Sequence, residues 1–236
     1  MRPEPGPSVG VIGTGRLGSA VAGCARAEGL CVVLTGARHG WKAEGTPDVV
    51  IDASGPGAQG EVREYCERNR TALIECVSNL DDRQWEELNA LARTVPVLRA
   101  ANLSLGHYLQ TRLLREVAAL PEALRPRTSV RERHPVAKAH RPSATAVQLG
   151  RTWSELSGGE PDDISSLRSG LPVSDHEVMW TWQAETLSLC HSVGSLEAAA
   201  AGAVTAARWM HRRKAGMESM DAVYDDLLHH HAAEYQ

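Results

Sequence analysis

The segment from Ser8 to Gly29 constrains this chain more than any other. Ser8-Val9-Gly10-Val11-Ile12 is a short apolar run that reads as a buried strand. Gly13-Thr14-Gly15-Arg16-Leu17-Gly18 follows at once, and then the helix-like SAVAGCARAEG. Strand, glycine turn and helix in that order match the G-x-G-x-x-G pattern of a dinucleotide site. The first glycine makes the tight turn, the second lets the backbone approach a pyrophosphate, and the third lets the helix lie on the sheet. The free N–H groups of the helix N-terminus then point at the phosphates. A tight βα turn with no ligand is the alternative, and the surroundings weigh against it.

Those surroundings continue the alternation. Leu30 to Leu34 and Asp48 to Asp52 are β-rich runs, the second closing at Ser54-Gly55-Pro56-Gly57. A helix around 58–69, a strand at Ala72 to Ile74, a helix over 81–93 with acidic residues in its first turn, and a strand at Val95 to Leu98 follow. Five strands with intervening helices predict an α/β fold with a doubly wound parallel sheet of Rossmann type. Past Gly106 the pattern changes to a helix over 107–120, a break from Pro121 to Pro126, a strand over 128–132, a helix over 143–156 and strand candidates near 164–168 and 176–182. This predicts a second, α+β domain. Ser195 to Arg212 reads as an Ala-rich helix whose small residues, Gly202 among them, permit close packing.

Composition narrows the function classes. The chain has 236 residues, 42% of them hydrophobic and 23% charged, with a net charge of -4. That suits a globular protein acting on a small molecule, not a basic protein that coats nucleic acid. No apolar run approaches the roughly 18 residues of a membrane span, and MRPEPGPS lacks the order of a signal peptide. Five cysteines without C-x-x-C spacing fit a reducing cytoplasm, not a disulfide framework or zinc ribbon. His176, His191 and His229-His230-His231 lack metal-ligand spacing and read as structural or solvated, so no metal is expected. There is no Phe, which leaves Ala, Val and Leu with six Trp to fill the core.

Two stretches carry candidate chemistry. The second strand ends in Thr35-Gly36-Ala37-Arg38-His39, where an NAD site would place a carboxylate for the ribose. Thr35 followed by Arg38 suits the 2′-phosphate of NADPH, because a guanidinium binds phosphate bidentately; NADH remains the other choice, and Arg38 as a solvated surface residue the alternative. Glu132 to Thr145 concentrates His134, Lys138, His140 and two arginines just before a helix that begins at Ser143. The helix N-terminus, the Ser143/Thr145 hydroxyls and Lys138 suit a carboxylate, and His134 suits proton exchange near neutral pH. A basic surface loop is the alternative. Cys76, at an apolar strand end, reads as inert core before it reads as a nucleophile.

These residues resemble the dihydrodipicolinate reductase family almost end to end. Gly15-Arg16-Leu17-Gly18 resembles the family's Gly-Arg-Met-Gly, and Val50-Ile51-Asp52-Ala53-Ser54 its Val-Ile-Asp-Phe-Thr. Ala101-Asn102-Leu103-Ser104-Leu105-Gly106 resembles its Asn-Phe-Ser-x-Gly segment, and Glu132 to Ala146 its Glu-Ala-His-His-Arg-x-Lys-x-Asp-Ala-Pro-Ser-Gly-Thr-Ala. The resemblance implies a cofactor domain over 1–106 and 197–236, and a substrate and oligomerisation domain over 107–196 that makes a homotetramer or dimer. It implies that His134 is the acid/base histidine, that Lys138 donates a proton or binds carboxylate, and that Ser143, Ala144 and Thr145 form the substrate loop. Gly13 to Gly18, Thr35, Arg38, Ser54, Cys76, Ser78 and Asn102 fall where the cofactor binds.

Departures from the family pattern matter as much. The second histidine is Pro135, the loop aspartate is His140, the loop glycine is Ala144, and an arginine expected after His191 is Leu196. Glu75-Cys76-Val77-Ser78 stands for Gly-Thr-Thr-Gly, and family Phe sites become Ala53, Leu103 and Ala199, which suggests a roomier nicotinamide pocket. Losing a buried charge partner typically costs a few kcal/mol of binding, so several such changes reject a dicarboxylate by orders of magnitude. The expected activity is NADPH-dependent reduction of a C=N or conjugated C=C bond in a smaller amino-acid-derived ring, in specialised metabolism. The alternatives are the parent reductase of lysine biosynthesis, an NADP-binding sensor, lyase or cyclase, and an amino-acid dehydrogenase.

Overall fold

Runs of Val, Ile and Leu without polar interruption are satisfied only by burial on both faces, and three such runs form the centre of a parallel sheet. In the computed structural model, which describes residues 6–170 and 174–234 with side chains as far as His229, β1 (Val9–Ile12), β4 (Val49–Asp52) and β5 (Ala72–Glu75) are buried at every position. The side chains of His230 and His231 lie outside the described residues. Flanking these strands are β2 (Val32–Ala37), β3 (Gly40–Ala43), β6 (Pro96–Arg99) and β11 (Gly216–Ser219), in the order β11-β6-β5-β4-β1-β2-β3. The chain runs outward from β1 to β2, then returns to place β4 on the other side of β1, which creates a topological switch point at their carboxyl ends.

The helices with this sheet are α1 (Arg16–Ala27), α2 (Gln59–Asn69), α3 (Asp82–Leu91), α6 (Glu197–Met210) and α7 (Met220–Glu234). Asp81 begins α3 in a capping box with Gln84. Two strands exceed the five expected. β3 pairs antiparallel with β2 through a hairpin whose tip is Arg38-His39, and β11 adds a parallel edge beside β6. Each has only four residues at a sheet edge, too few to show a burial period.

The Ala-rich α6 explains how a chain without Phe closes this core. A Cβ at Gly202 would fall 1.8 Å from the Leu103 carbonyl oxygen, so the helix lies directly on the backbone there. The same oxygen accepts a 2.7 Å hydrogen bond from the Tyr224 hydroxyl. Gly202→Ala is therefore expected to cost about 2–3 kcal/mol through overpacking, seen as a Tm fall of roughly 5–10 °C. An unchanged Tm would contradict the close approach.

The chain divides into two compact units, Met1–Leu105 with Leu196–Gln236, and Gly106–Ser195. The second unit has a four-stranded sheet, ordered β10-β9-β7-β8, formed by β7 (Arg127–His134), β8 (Asp163–Arg168), β9 (Ser174–Thr181) and β10 (Thr186–Val193). β7 is parallel to β8 and antiparallel to β9. Val130 of β7 and Val178 and Trp180 of β9 pack with Leu114 of α4 (Leu105–Ala118) and Leu149 and Trp153 of α5 (Ala144–Ser157). Here the two tryptophans supply the large core pieces. No helix among the described residues is long and apolar enough to cross a membrane.

Candidate active site

The glycine turn behaves as its chemistry requires. Gly13 has φ +109° and donates its N–H to the Gly36 carbonyl at 2.8 Å, and a Cβ there would lie 2.4 Å from the Ala53 carbonyl oxygen. A Cβ at Gly18 would lie 2.0 Å from the Gly13 oxygen, so the third glycine lets α1 approach the turn. Gly15 is different, because a Cβ there would meet nothing within 4 Å. It is also the N-cap of α1, with no side chain capping the helix. Open space at an uncapped helix N-terminus fits a pyrophosphate group.

The carboxyl edge of the same sheet gathers the other expected cofactor residues. Thr14, Arg16 and Leu17 belong to the turn itself and Thr35 to β2, while Arg38 is exposed at the hairpin tip. Ser54 follows β4, where its N–H and hydroxyl both donate to Asp52 Oδ1, at 2.9 and 2.5 Å. Cys76 and Ser78 follow β5; Asn102 follows β6 and accepts from the Ser104 N–H at 3.0 Å.

Two carboxylates sit side by side at this edge. Asp52 and Glu75 are register partners on β4 and β5 and are 0% and 1% exposed. Burial pushes Glu75 up to about 8, reinforced by the neighbouring Asp52 and opposed by the Val77 N–H, and burial raises Asp52 as well. Oδ2 of Asp52 and Oε2 of Glu75 have no hydrogen-bond partner among the described residues. Two like charges this close in a dry site are disfavoured, so at neutral pH the pair holds a proton.

The second unit assembles a polar cluster by strand register. Successive β7 residues alternate in burial, and Glu132 and His134 follow Thr128 and Val130 onto the face covered by helix. His176 of β9 lies directly opposite Glu132, while Ser166 and Arg168 of β8 lie beside Glu132 and His134. His134 Nδ1 is 2.8 Å from Glu132 Oε2, and the His134 and His176 rings meet edge to face with centroids 5.1 Å apart. Ser143, the N-cap of α5, is 3% exposed; its hydroxyl accepts from the Ala146 N–H at 3.3 Å and lies 3.1 Å from His176 Nε2. Ala144 and Thr145 open the helix. Arg168 donates to the Lys138 carbonyl at 2.8 Å and to the His140 carbonyl, tying down the loop that carries Lys138.

Electrostatics separate the members of this cluster. Burial pushes Glu132 upward, but hydrogen bonds from Ser143, Ser166 and Arg168 outweigh it and hold the carboxyl at about 2. Burial lowers His134; Glu132 opposes this, while Arg168 and Lys138 add to it. His176 falls to about 4 through burial and then the neighbouring His134, and is neutral at pH 7. Glu132, His134 and His176 bring ligand atoms within 4.8 Å of one another, a spacing that could hold a cation. Arg168 already lies 3.0 Å from Glu132 Oε1 and balances the carboxylate without one.

The structure thus gathers His134 and Ser143 around one cluster, with the Lys138 loop tied to it and Ala144 and Thr145 in the first turn of α5. Glu132, Arg168 and His176 were not among the expected site residues. His176 is neither solvated nor remote, because it stands between His134 and Ser143. The Glu-x-His spacing on a strand was a signal for Glu132, since alternate residues share a face.

Comparison with known proteins agrees with this architecture. Residues 32–103 match the family model described as dihydrodipicolinate reductase, N-terminus, and residues 106–224 match its C-terminal counterpart. A 4-hydroxy-tetrahydrodipicolinate reductase of Clostridium novyi is 28% identical over 192 residues, covering 75% of this chain and 76% of the relative. One of Rickettsia peacockii is 30% identical over 190 residues, covering 75% and 79%. Among solved structures, a dipicolinate-bound dihydrodipicolinate reductase from Paenisporosarcina sp. TG-14 shares the fold with TM-score 0.75 at 18% identity, covering 90% of this chain and 97% of that one. An amine dehydrogenase from Mycobacterium smegmatis gives TM-score 0.60 at 12% identity, covering 91% and 95%.

Proposed function

This chain belongs to the dihydrodipicolinate reductase family, and from that premise we propose an NADPH-dependent reductase of a C=N or conjugated C=C bond in a small, cyclic, amino-acid-derived substrate. The supporting observation is the environment of His134. Its imidazole is 12% exposed, stands against a buried carboxylate, and shares its site with a helix N-terminus and the Lys138 loop. In this reading the α5 N-terminus and Lys138 bind a substrate carboxylate, and His134 gives a proton to the atom left electron-rich by reduction. The bound nicotinamide supplies the hydride. Gly13 to Gly18 hold its pyrophosphate, with Thr35, Ser54, Cys76, Ser78 and Asn102 along the same edge.

The preference for NADPH rests on Arg38. No carboxylate follows β2, and Arg38 projects from an exposed hairpin tip where a guanidinium can meet a 2′-phosphate. Arg38→Ala is expected to raise the Kd for NADPH by roughly 10–100-fold, the worth of a charge-assisted phosphate contact, with little change for NADH. Equal loss for both cofactors would remove the 2′-phosphate assignment.

The altered substrate rests on Pro135, His140, Ala144 and Leu196, which stand where the family pattern has His, Asp, Gly and Arg. A second reading, the parent 4-hydroxy-tetrahydrodipicolinate reductase, is favoured by the names of the relatives at 28–30% identity. Complementation of a strain lacking that reductase separates the two. The altered-substrate reading expects no growth without lysine-pathway supplements, and full growth would establish the parent activity. A cytoplasmic homo-oligomer completes the proposal, testable by light scattering.

A further inference from the structure

A proton donor does not by itself explain why a fully buried carboxylate stands beside it. Glu132 is 0% exposed, and an ionised carboxylate persists in such a place only if its oxygens are satisfied. Its two oxygens divide the work. Oε1 accepts from the Ser143 N–H at 3.0 Å and the Ser166 hydroxyl at 2.7 Å, and forms an ion pair with the Arg168 guanidinium at 3.0 Å. Oε2 accepts from none of these; it lies 2.8 Å from His134 Nδ1 and 4.0 Å from His176 Nε2. Oε2 and Nδ1 are both buried with no assigned hydrogen-bond partner among the described residues, and the group each one faces is the other, at 2.8 Å.

His176 cannot take the place of His134 at Oε2, because its Nε2 faces the Ser143 hydroxyl at 3.1 Å. Its ring instead forms a wall, edge to face, against His134. Around the His134 ring stand Glu132 from its own strand, Arg168 from β8, His176 from β9 and Lys138 from the loop, and Glu132 is the one anion among them.

We propose that Glu132 is the positioning residue of the site: its Oε2 takes the Nδ1–H of His134, fixes the tautomer that turns Nε2 toward substrate, and stabilises the imidazolium that precedes proton transfer. This rests on the reading of His134 as proton donor. Ser166 and Arg168 act one step further out, holding the carboxylate ionised and pointed. The same carboxylate receives the first N–H of the α5 cap, so the proton donor and the carboxylate-binding helix end share one anchor.

Glu132→Gln is close to isosteric and tests the idea. Its amide oxygen can still accept from Ser143, Ser166 and Arg168, whereas its NH₂ faces Nδ1 and forces that nitrogen to accept. Ring-nitrogen NMR of the full chain labelled with 15N-histidine reads the tautomer with no substrate present. Wild type is expected to show His134 protonated at Nδ1, and Glu132→Gln protonated at Nε2. In turnover, Glu132→Gln is expected to lower kcat by about 10²-fold or more and to move the alkaline limb of the kcat profile to lower pH. Glu132→Asp keeps the charge and is expected to keep the Nδ1–H tautomer and the position of the limb. An Nδ1 without a proton in wild type, an unchanged tautomer or limb in Glu132→Gln, or wild-type activity lost to a chelator and restored by Zn²⁺ would overturn the proposal. Should Glu132→Gln fail to fold, the wild-type tautomer and the Glu132→Asp limb decide alone. The expected tautomers with no turnover on any substrate would count against the reductase reading and leave the positioning role standing.

Discussion

His134→Ala is expected to lower kcat by roughly 10²–10⁴-fold, the usual contribution of a positioned general acid, while NADPH binds as tightly as to the unaltered chain. The expectation follows from where the ring stands. His134 belongs to Gly106–Ser195, whereas the glycine turn and its sheet edge belong to the other unit. If His134 is the proton donor, truncating its imidazole removes that donor and leaves the residues proposed to hold the cofactor unaltered in sequence. The pH profile carries the same signature. Burial lowers the His134 pKa, and Glu132 only partly restores it. The donor form is lost as pH rises through that lowered value, so kcat should begin to fall at a lower pH than an exposed histidine would impose. Steady-state kinetics beside a fluorescence titration of NADPH check both parts. An effect confined to cofactor affinity would contradict the assignment of His134.

The second large effect concerns stability. Glu75 in the folded chain is pushed up to about 8 by burial and then by Asp52, while an unfolded glutamate titrates near 4.3. With the folded pKa raised, the stabilising contribution is fully present below the unfolded value and is lost as pH rises through the folded one. Between roughly pH 4.5 and 8 the unfolded chain has already released this proton and the folded chain still holds it, so stability falls with a limiting slope of about 1.4 kcal/mol per pH unit. The titratable neighbours in this pocket, Asp52, Cys66 and Cys76, offer no compensating positive charge. Glu75→Gln should raise the Tm clearly at pH 8 and little at pH 5, flattening the dependence. Thermal melts followed by the fluorescence of Trp41 and Trp85, which pack on this core, measure it. Parallel Tm-against-pH curves for the two proteins would show that the pair is not protonated.

Much of this architecture was legible in the chain itself. Val9 to Gly18 announced a strand, a turn and a helix because burial on both faces and three glycines with separate steric duties leave few other solutions. Three edge strands were not legible. β3 and β11 are four residues long, and β10, with Leu187 and Leu189 among Ser, Cys and His, is an edge strand exposed or half-exposed along its length. The site divides in the same way. Ser143 and His134 stood out as a helix start and a titratable group within one polar stretch. His176 did not, because its place opposite Glu132 depends on the register of an antiparallel pair 44 positions apart in sequence, and periodicity within one strand says nothing about register between two. Glu75 looked like one replacement in a loop motif; only the pairing of β4 with β5 shows that it faces Asp52.

The most direct measurement of the central claim is loss of reduced-nicotinamide absorbance when the purified chain and NADPH meet a panel of cyclic imines and unsaturated amino acids, with one and two carboxylates. Oxidation of NADPH by at least one member with a single carboxylate, faster than by the dicarboxylate and abolished in His134→Ala, is the predicted result. Tight NADPH binding with no oxidation by any member would contradict a reductase.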